Sequence, residues 1–310
     1  MENKPLISIA LCTYNGSDFL SEQLDSILSQ SLQDWELVIV DDFSQDETLT
    51  ILSSYAARDN RFKIHRNHQN LGYNKNFEKA LQLCEGDFIA ICDQDDIWHP
   101  DKLKLQLEAI RNNLLVYHDS EFIDESGKSM DARISDKFAF YRGDRPEVFL
   151  YFNCVSGHSI FMKRSLLAYA LPFPEGFHYD QWLAYIATSN GSIDFVDKCL
   201  VRYRQHKKNN TDILALRTTS RSTGQKITEL KRESEWLKIC AAKAADKSAQ
   251  LITRLYKLSL DRNASFMSIA YGQAIWKDRN YLLRLLKKNS SSKFFFTLRK
   301  IWGPLAKTFL

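Results

Sequence analysis

Phe88-Ile-Ala-Ile-Cys92 runs without a break into Asp93-Gln-Asp-Asp96 and Ile97-Trp-His-Pro100. An apolar run of this length that stops abruptly at three carboxylates reads as a buried strand delivering acidic side chains to the edge of a sheet. A cation or a polar ligand would be met there. The neighbouring segments have the same form. Leu6-Ile-Ser-Ile-Ala-Leu11 stops at Cys12-Thr-Tyr-Asn-Gly16, Glu36-Leu-Val-Ile-Val40 stops at Asp41-Asp42, and Phe62-Lys-Ile-His65 leads into the loop Asn67 to Gly72.

Helical patterns separate these runs. Phe19, Leu20, Leu24, Ile27 and Leu28 recur at helical spacing, as do Phe77, Ala80, Leu81 and Cys84 before Gly86. Ser44 and Glu47 have the spacing of a capping box opening a helix through Ile51, Leu52 and Tyr55, and Pro100 is suited to start a helix carrying Leu103, Leu107 and Ile110. Strand and helix alternate four times, so the expected fold class is α/β, a mostly parallel sheet flanked by helices. Ligands of such sheets bind beyond the carboxyl ends of the strands, where Thr13-Tyr14-Asn15, Asp41-Asp42 and Asp93 to Asp96 all fall.

Beyond residue 114, Leu115-Val-Tyr117 and Glu121-Phe-Ile123 read as strands with Asp124 to Gly127 as a turn. Val155 to Met162 reads as another strand, Leu183 to Ile186 as helix, and Leu200 to Arg204 as a strand before a polar loop. No Pro/Gly/Ser-rich linker interrupts this part. Residues 1–216 are therefore expected to form one catalytic domain, and residues 217–310 a basic helical extension. Lys and Arg number 22 against 32 Asp and Glu in the first, and 20 against 6 in the second, giving net charges of −10 and +14.

No stretch approaches the roughly 18 to 20 consecutive apolar residues that span a bilayer, and the start lacks the apolar core of a signal peptide. A cytoplasmic protein is expected. Cys12, Cys84, Cys92, Cys154, Cys199 and Cys240 are scattered among apolar neighbours with no Cys-x-x-Cys pair, as reduced core thiols would be. Neither a Gly-x-Gly-x-x-Gly loop nor a Walker motif is present, which argues against dinucleotide oxidoreductases and P-loop enzymes.

Hard divalent cations are held by one or two carboxylates plus substrate phosphates, an arrangement that Asp93 and Asp95 suit. Set together, Ile7 to Asn15, Leu37 to Thr48, Asn70-Leu-Gly72 and Asp93 to Pro100 resemble the signature segments of family-2 glycosyltransferases, enzymes of the GT-A fold. The resemblance covers roughly residues 5 to 210. His178-Tyr-Asp-Gln-Trp182 and Tyr203-Arg-Gln-His206 look most similar to the rhamnosyltransferase-like branch of bacterial cell-surface polysaccharide synthesis.

That resemblance implies an inverting transferase that moves a sugar from a nucleotide-diphosphate donor, with dTDP-rhamnose the expected one, to a growing polysaccharide or a polyprenyl-linked acceptor. It implies Mg²⁺ or Mn²⁺ held by Asp95 and His206, and Asp180 as the catalytic base. Thr13, Tyr14, Asn15, Asp42, Asn70, Lys75 and Asp93 would serve the donor, and Tyr179 and Trp182 the acceptor. Asp96 is expected only to serve the turn. One departure stands out: His178-Tyr179 precede Asp180 where many relatives carry an acidic residue directly before the base.

Two other readings compete with this one. A sugar-nucleotide pyrophosphorylase would carry a Gly-rich, basic loop after the first strand, which Cys12 to Gly16 is not. A non-enzymatic, membrane-associated sugar-binding protein would have no use for the carboxylates Asp95 and Asp180. The basic extension is expected at an anionic membrane surface, peripheral at the inner face, with Phe294, Leu298, Ile301, Trp302 and Leu305 sharing one face. Its alternative uses are docking on the catalytic domain or pairing subunits into a homo-oligomer. No nucleic-acid-binding motif is recognised, so no nucleic-acid partner is expected.

Overall fold

The computed structural model describes residues 4–207, 209, 222–244 and 246–307. The junction expected at 216/217 lies outside the described residues. The chain divides into two compact units. One comprises residues up to 136 together with 140–144 and 154–206, and the other 137–139, 145–153 and the chain from 207 onward.

The first unit is built on a single sheet. Its strands are β1 (Ile7–Thr13), β2 (Trp35–Asp41), β3 (Phe62–Arg66), β4 (Phe88–Cys92), β5 (Ile97–Trp98), β6 (Leu115–Ile123), β7 (Ser129–Arg133), β8 (Phe161–Lys163) and β9 (Ile193–Arg204). The order is β3-β2-β1-β4-β8-β6-β9-β5, with β7 paired to β6. Strands β3, β2, β1 and β4 run parallel, β8 is antiparallel to β4 and β6, and β9 runs parallel to β6.

Every residue of β2 is buried, and in β1 only Cys12 is not. Their continuous apolar runs are what a strand covered on both faces requires. The helices Leu20–Leu28, Thr48–Ala56 and Tyr73–Leu83 connect these strands; Leu20, Leu24 and Ile27 of the first, and Phe77, Ala80 and Leu81 of the third, are buried at helical spacing. The helices Lys102–Ile110 and Tyr179–Asn190 complete the flanks.

Three local expectations are corrected. Ser44 opens no capping box: its hydroxyl donates to Asp41, and Asp46 Oδ1 accepts the Thr48 N–H at 3.0 Å, so the helix begins at Thr48. Residues 115–123 form one strand, not two, because the polar run His118-Asp119-Ser120 is buried and its register against β9 shifts there. Within Val155 to Met162, Gly157–Ser159 turn as a 3₁₀ helix before β8.

The second unit is helical, with long helices Thr223–Ala242 and Asp246–Ala264 and shorter ones Ile269–Lys277, Arg279–Leu282, Ser290–Lys300 and Pro304–Lys307. It is centred on Glu233, whose side chain is 12% exposed. Arg262 Nη1 and the Tyr271 hydroxyl donate to Glu233 Oε1 at 2.7 and 2.8 Å, and Lys300 pairs with Oε2. Burial alone would raise the Glu233 carboxyl, but the Lys300 and Arg262 charges hold it at about 2. The expected continuous face from Phe294 to Leu305 is broken between Lys300 and Pro304. Proline cannot donate to a helix, and Gly303 passes so close to the Ser265 and Arg262 carbonyls that a Cβ there would lie 2.0 Å from the first.

Candidate active site at the carboxyl ends of the strands

Parallel register brings the polar clusters to one rim. Thr13 lies opposite Asp41, and Leu11 opposite Cys92, so the chain leaves β1, β2 and β4 at neighbouring points. Thr13 Oγ1 donates to Asp41 Oδ1 at 2.9 Å, and its side chain is consumed in joining the two strand ends. Tyr14 follows, half exposed at 49%, with its N–H donating to Gln94 Oε1 at 2.8 Å and its carbonyl accepting from Gln94 Nε2. Gln94 therefore ties the acidic loop to the end of β1. Asn15 takes a left-handed conformation, φ 46°, and its Oδ1 accepts the Gln45 N–H.

Asp42 is buried. It accepts hydrogen bonds from Asn67 Nδ2 at 2.8 Å, the Leu71 N–H at 2.8 Å and the Gly72 N–H at 2.9 Å, and its own carbonyl accepts from Asn70 Nδ2. This carboxylate is the organiser of the loop 67–72. Lys75 lies on the next helix with its ammonium 3.4 Å from Glu78. Phe43, which sequence reasoning passed over, is 40% exposed, lies 5.3 Å below the Arg66 guanidinium, and has φ 68°, a strained value for an aromatic residue. Only its backbone conformation marks it out; the sequence carried no signal for it.

The acidic loop splits its three carboxylates. Asp95 Oδ2 lies 2.7 Å from His206 Nε2, so the structure brings together two residues 111 positions apart. Asp93 is a third exposed, and its Oδ2 lies 3.8 Å from His158 Nδ1. Asp96 is buried: Oδ1 accepts the Arg204 N–H at 3.0 Å and Oδ2 lies 3.7 Å from His158 Nδ1. Burial, and then the Asp95 and Asp93 charges, push the Asp96 carboxyl well above the usual carboxylate range. Asp96 thus does more than serve the turn. His158 bonds through Nε2 to Ser120 Oγ at 2.8 Å and packs 4.4 Å from the Tyr203 ring. The strand-like reading of Val155 to Met162 hid it.

Two sets of groups could hold a divalent ion. Asp93, Asp96 and His158 offer ligand atoms within 4.8 Å of one another. Asp95 and His206 offer two atoms 2.7 Å apart, close to the roughly 3 Å between adjacent ligands of an octahedral ion at about 2.1 Å. Asp96 is buried within the first set, whereas the Asp95 and His206 side chains meet between the acidic loop and the chain just after β9.

Asp180 lies in the first turn of the helix Tyr179–Asn190 and accepts the Gln181 N–H at 2.6 Å. Burial pushes its carboxyl up to about 7, with the Asp93 charge adding to the rise. The expected acceptor surfaces are elsewhere engaged. Tyr179 is buried against Phe77, Phe173 and the site where Gly157 lacks a Cβ, and the buried Trp182 donates Nε1 to the Ala170 carbonyl at 2.8 Å. His178, two residues before Asp180, is exposed and its Nδ1 lies 2.9 Å from the hydroxyl of Tyr73, which is 37% exposed.

The mostly parallel sheet with its flanking helices has the architecture of the GT-A fold. Residues 8–169 match Glycosyl transferase family 2, and the chain belongs to that family. It is 30% identical over 219 residues to an uncharacterized glycosyltransferase of Methanocaldococcus jannaschii, covering 67% of this chain and 73% of that one. It is 29% identical over 189 residues to the UDP-Glc:alpha-D-GlcNAc-diphosphoundecaprenol beta-1,3-glucosyltransferase WfgD of Escherichia coli, covering 60% and 71%. Staphylococcus aureus TarS, residues 1–349 in complex with UDP-GlcNAc, superposes with a TM-score of 0.61 at 18% identity, over 95% of this chain and 87% of that one.

Asp42→Ala would leave three donors of the 67–72 loop without their acceptor. A loss of about 3 kcal/mol of unfolding free energy is expected from denaturant titration. A loss below about 1 kcal/mol would show that the loop does not depend on this carboxylate.

Proposed function

We propose that this protein is an inverting, metal-assisted glycosyltransferase that takes a nucleotide-diphosphate sugar and extends a bacterial surface glycan carried on a polyprenyl-linked acceptor. The observation that carries the reading is the pairing of Asp95 with His206 on the same rim as the raised carboxyl of Asp180. The nucleoside would lie between the exposed rings of Tyr14 and Phe43, over the loop that Asp42 organises, with Asn15, Asn70 and Lys75 at its edge. Asp93, a third exposed, faces the donor. The likeness of residues 178–182 and 203–206 to rhamnosyltransferases makes dTDP-rhamnose the first donor to try.

Asp95 and His206 would hold the ion, which when bound would neutralise the diphosphate and make it a better leaving group. Asp180 accepts the proton of the acceptor hydroxyl as that oxygen bonds to the anomeric carbon and the bond to the departing nucleoside diphosphate breaks. Tyr73 and His178 offer the acceptor a surface beside this base. A base pushed up to about 7 is a strong enough acceptor to take a proton that an ordinary aspartate would leave in place.

The second unit is proposed to rest on an anionic lipid surface. Phe294, Phe295, Leu298 and Leu305 are 45%, 60%, 36% and 57% exposed in a segment rich in Lys and Arg, although among the described residues no helix is long and apolar enough to cross a membrane. Phe295→Glu with Leu298→Glu should strongly reduce co-sedimentation with phosphatidylglycerol vesicles and leave the weak binding to phosphatidylcholine unchanged. Equal binding of variant and parent to the anionic vesicles would contradict this surface.

For the base, the charged form of Asp180 is the active one, so kcat/KM should rise with pH and level off above about 7. Asp180→Asn should lower kcat by at least about 10²-fold while nucleoside-diphosphate affinity stays at the parent value. A profile flat from about pH 5 to 8, or a variant with parental kcat, would remove Asp180 from the chemistry.

A further inference from the structure

We propose that Arg204 is a positioning residue whose guanidinium sets the separation of Asp95 and His206, and thereby the affinity of that pair for a divalent cation. The inference rests on the metal-assisted reading above. Arg204 is among the largest fully buried side chains of the protein, 1% exposed, and lies two residues before His206 at the end of β9. A guanidinium removed from water must find acceptors for its fork of N–H groups, and each acceptor found here belongs to the ground around the acidic loop.

Arg204 Nε donates to the Asp95 carbonyl at 2.9 Å, and Nη1 donates to the Glu125 carbonyl at 2.9 Å. Nη2 pairs with Glu22. The main-chain N–H of the same residue reaches Asp96 Oδ1 at 3.0 Å, so two successive residues of the loop are tied to one residue of β9. The guanidinium also lies 4.6 Å over the Phe19 ring, and that ring is 5.1 Å from the His206 imidazole. Arg204 therefore touches the backbone of one candidate ligand directly and the side chain of the other through a shared aromatic neighbour.

Strand pairing gives this contact its precision. β5 follows the acidic loop and pairs with β9, Ile97 opposite Arg202 and Trp98 opposite Val201. On its other side β9 pairs with β6, Ile123 opposite Arg204, and the Gln205 N–H donates to the Ile123 carbonyl at 2.8 Å. The strand enters the site held on both edges, and in the loop 93–96 Gln94 is tied to Tyr14 and Asp96 to the Arg204 N–H. The guanidinium adds the hold on the Asp95 carbonyl between them. A lysine would keep the charge but has neither the planar fork nor Arg204's simultaneous reach to Asp95, Glu125 and Glu22.

The test uses the full chain with Arg204→Lys and Arg204→Met, read in two ways: Mn²⁺ titrated alone and followed by its electron paramagnetic resonance signal, and the ring ¹⁵N signals of His206 in the metal-free protein. Groups that orient metal ligands change affinity about 10- to 100-fold when altered. About tenfold weaker Mn²⁺ binding is expected for Arg204→Lys and more for Arg204→Met, with the His206 signals displaced in both. Arg204→Lys, which keeps the buried charge, carries the test if Arg204→Met does not fold. Parental Mn²⁺ affinity with unmoved His206 signals would overturn the proposal. If the parent itself takes up no Mn²⁺ while the His206 signals move in the variants, the metal reading fails and the positioning role stands.

Discussion

Parallel pairing of β1 with β2 and β4 is the constraint from which the site follows. With Thr13 opposite Asp41 and Leu11 opposite Cys92, the three strands end together, and whatever the chain places next is delivered to one rim. A one-residue slip would exchange the faces of a strand and separate Asp93 to Asp96 from Tyr14 and Asp42. The register is secured by burial of the apolar runs on both faces and by side chains bridging the ends, Thr13 to Asp41 and Gln94 to Tyr14.

The rim then separates carboxylates by environment. Asp42 accepts three donors of the 67–72 loop and organises it. Asp96 is buried and driven toward its neutral form. Asp95 stays within reach of His206, and Asp180 is raised by burial to about 7. Side chains of one type thus acquire different chemistry from their depth and their hydrogen bonds, as electrostatics in a partly dry site requires.

The first four strands were legible because each is an apolar run with a polar stop: Glu36–Val40 appears as Trp35–Asp41 and Phe62–His65 as Phe62–Arg66, and Phe88–Cys92 keeps its bounds. The alternation implies an α/β sheet, and the resemblance of the quoted motifs to family-2 glycosyltransferases implies the GT-A fold. Legibility fell where the chain buries polar groups. His118-Asp119-Ser120 interrupts the pattern of one continuous strand, and His158 sits in a short 3₁₀ turn between strand-like residues. In the sequence Arg204 ends a strand pattern and stands in the quoted motif Tyr203-Arg-Gln-His206. Its importance comes from acceptors 79 to 182 positions away, a relation that local periodicity does not carry. Tyr179 and Trp182 show the converse: their aromatic character was plain, but burial in the core was settled by packing against Phe77, Phe173 and Ala170.

Isothermal titration of the full chain with UDP, dTDP and GDP, each with and without Mn²⁺, tests most directly the proposal that Asp95 and His206 would hold an ion for a nucleoside diphosphate. One of the three should bind at least about tenfold more tightly with Mn²⁺ present, and Asp95→Asn should erase that difference. Absence of binding for all three in both conditions, or an Mn²⁺ effect that survives Asp95→Asn, would contradict the account.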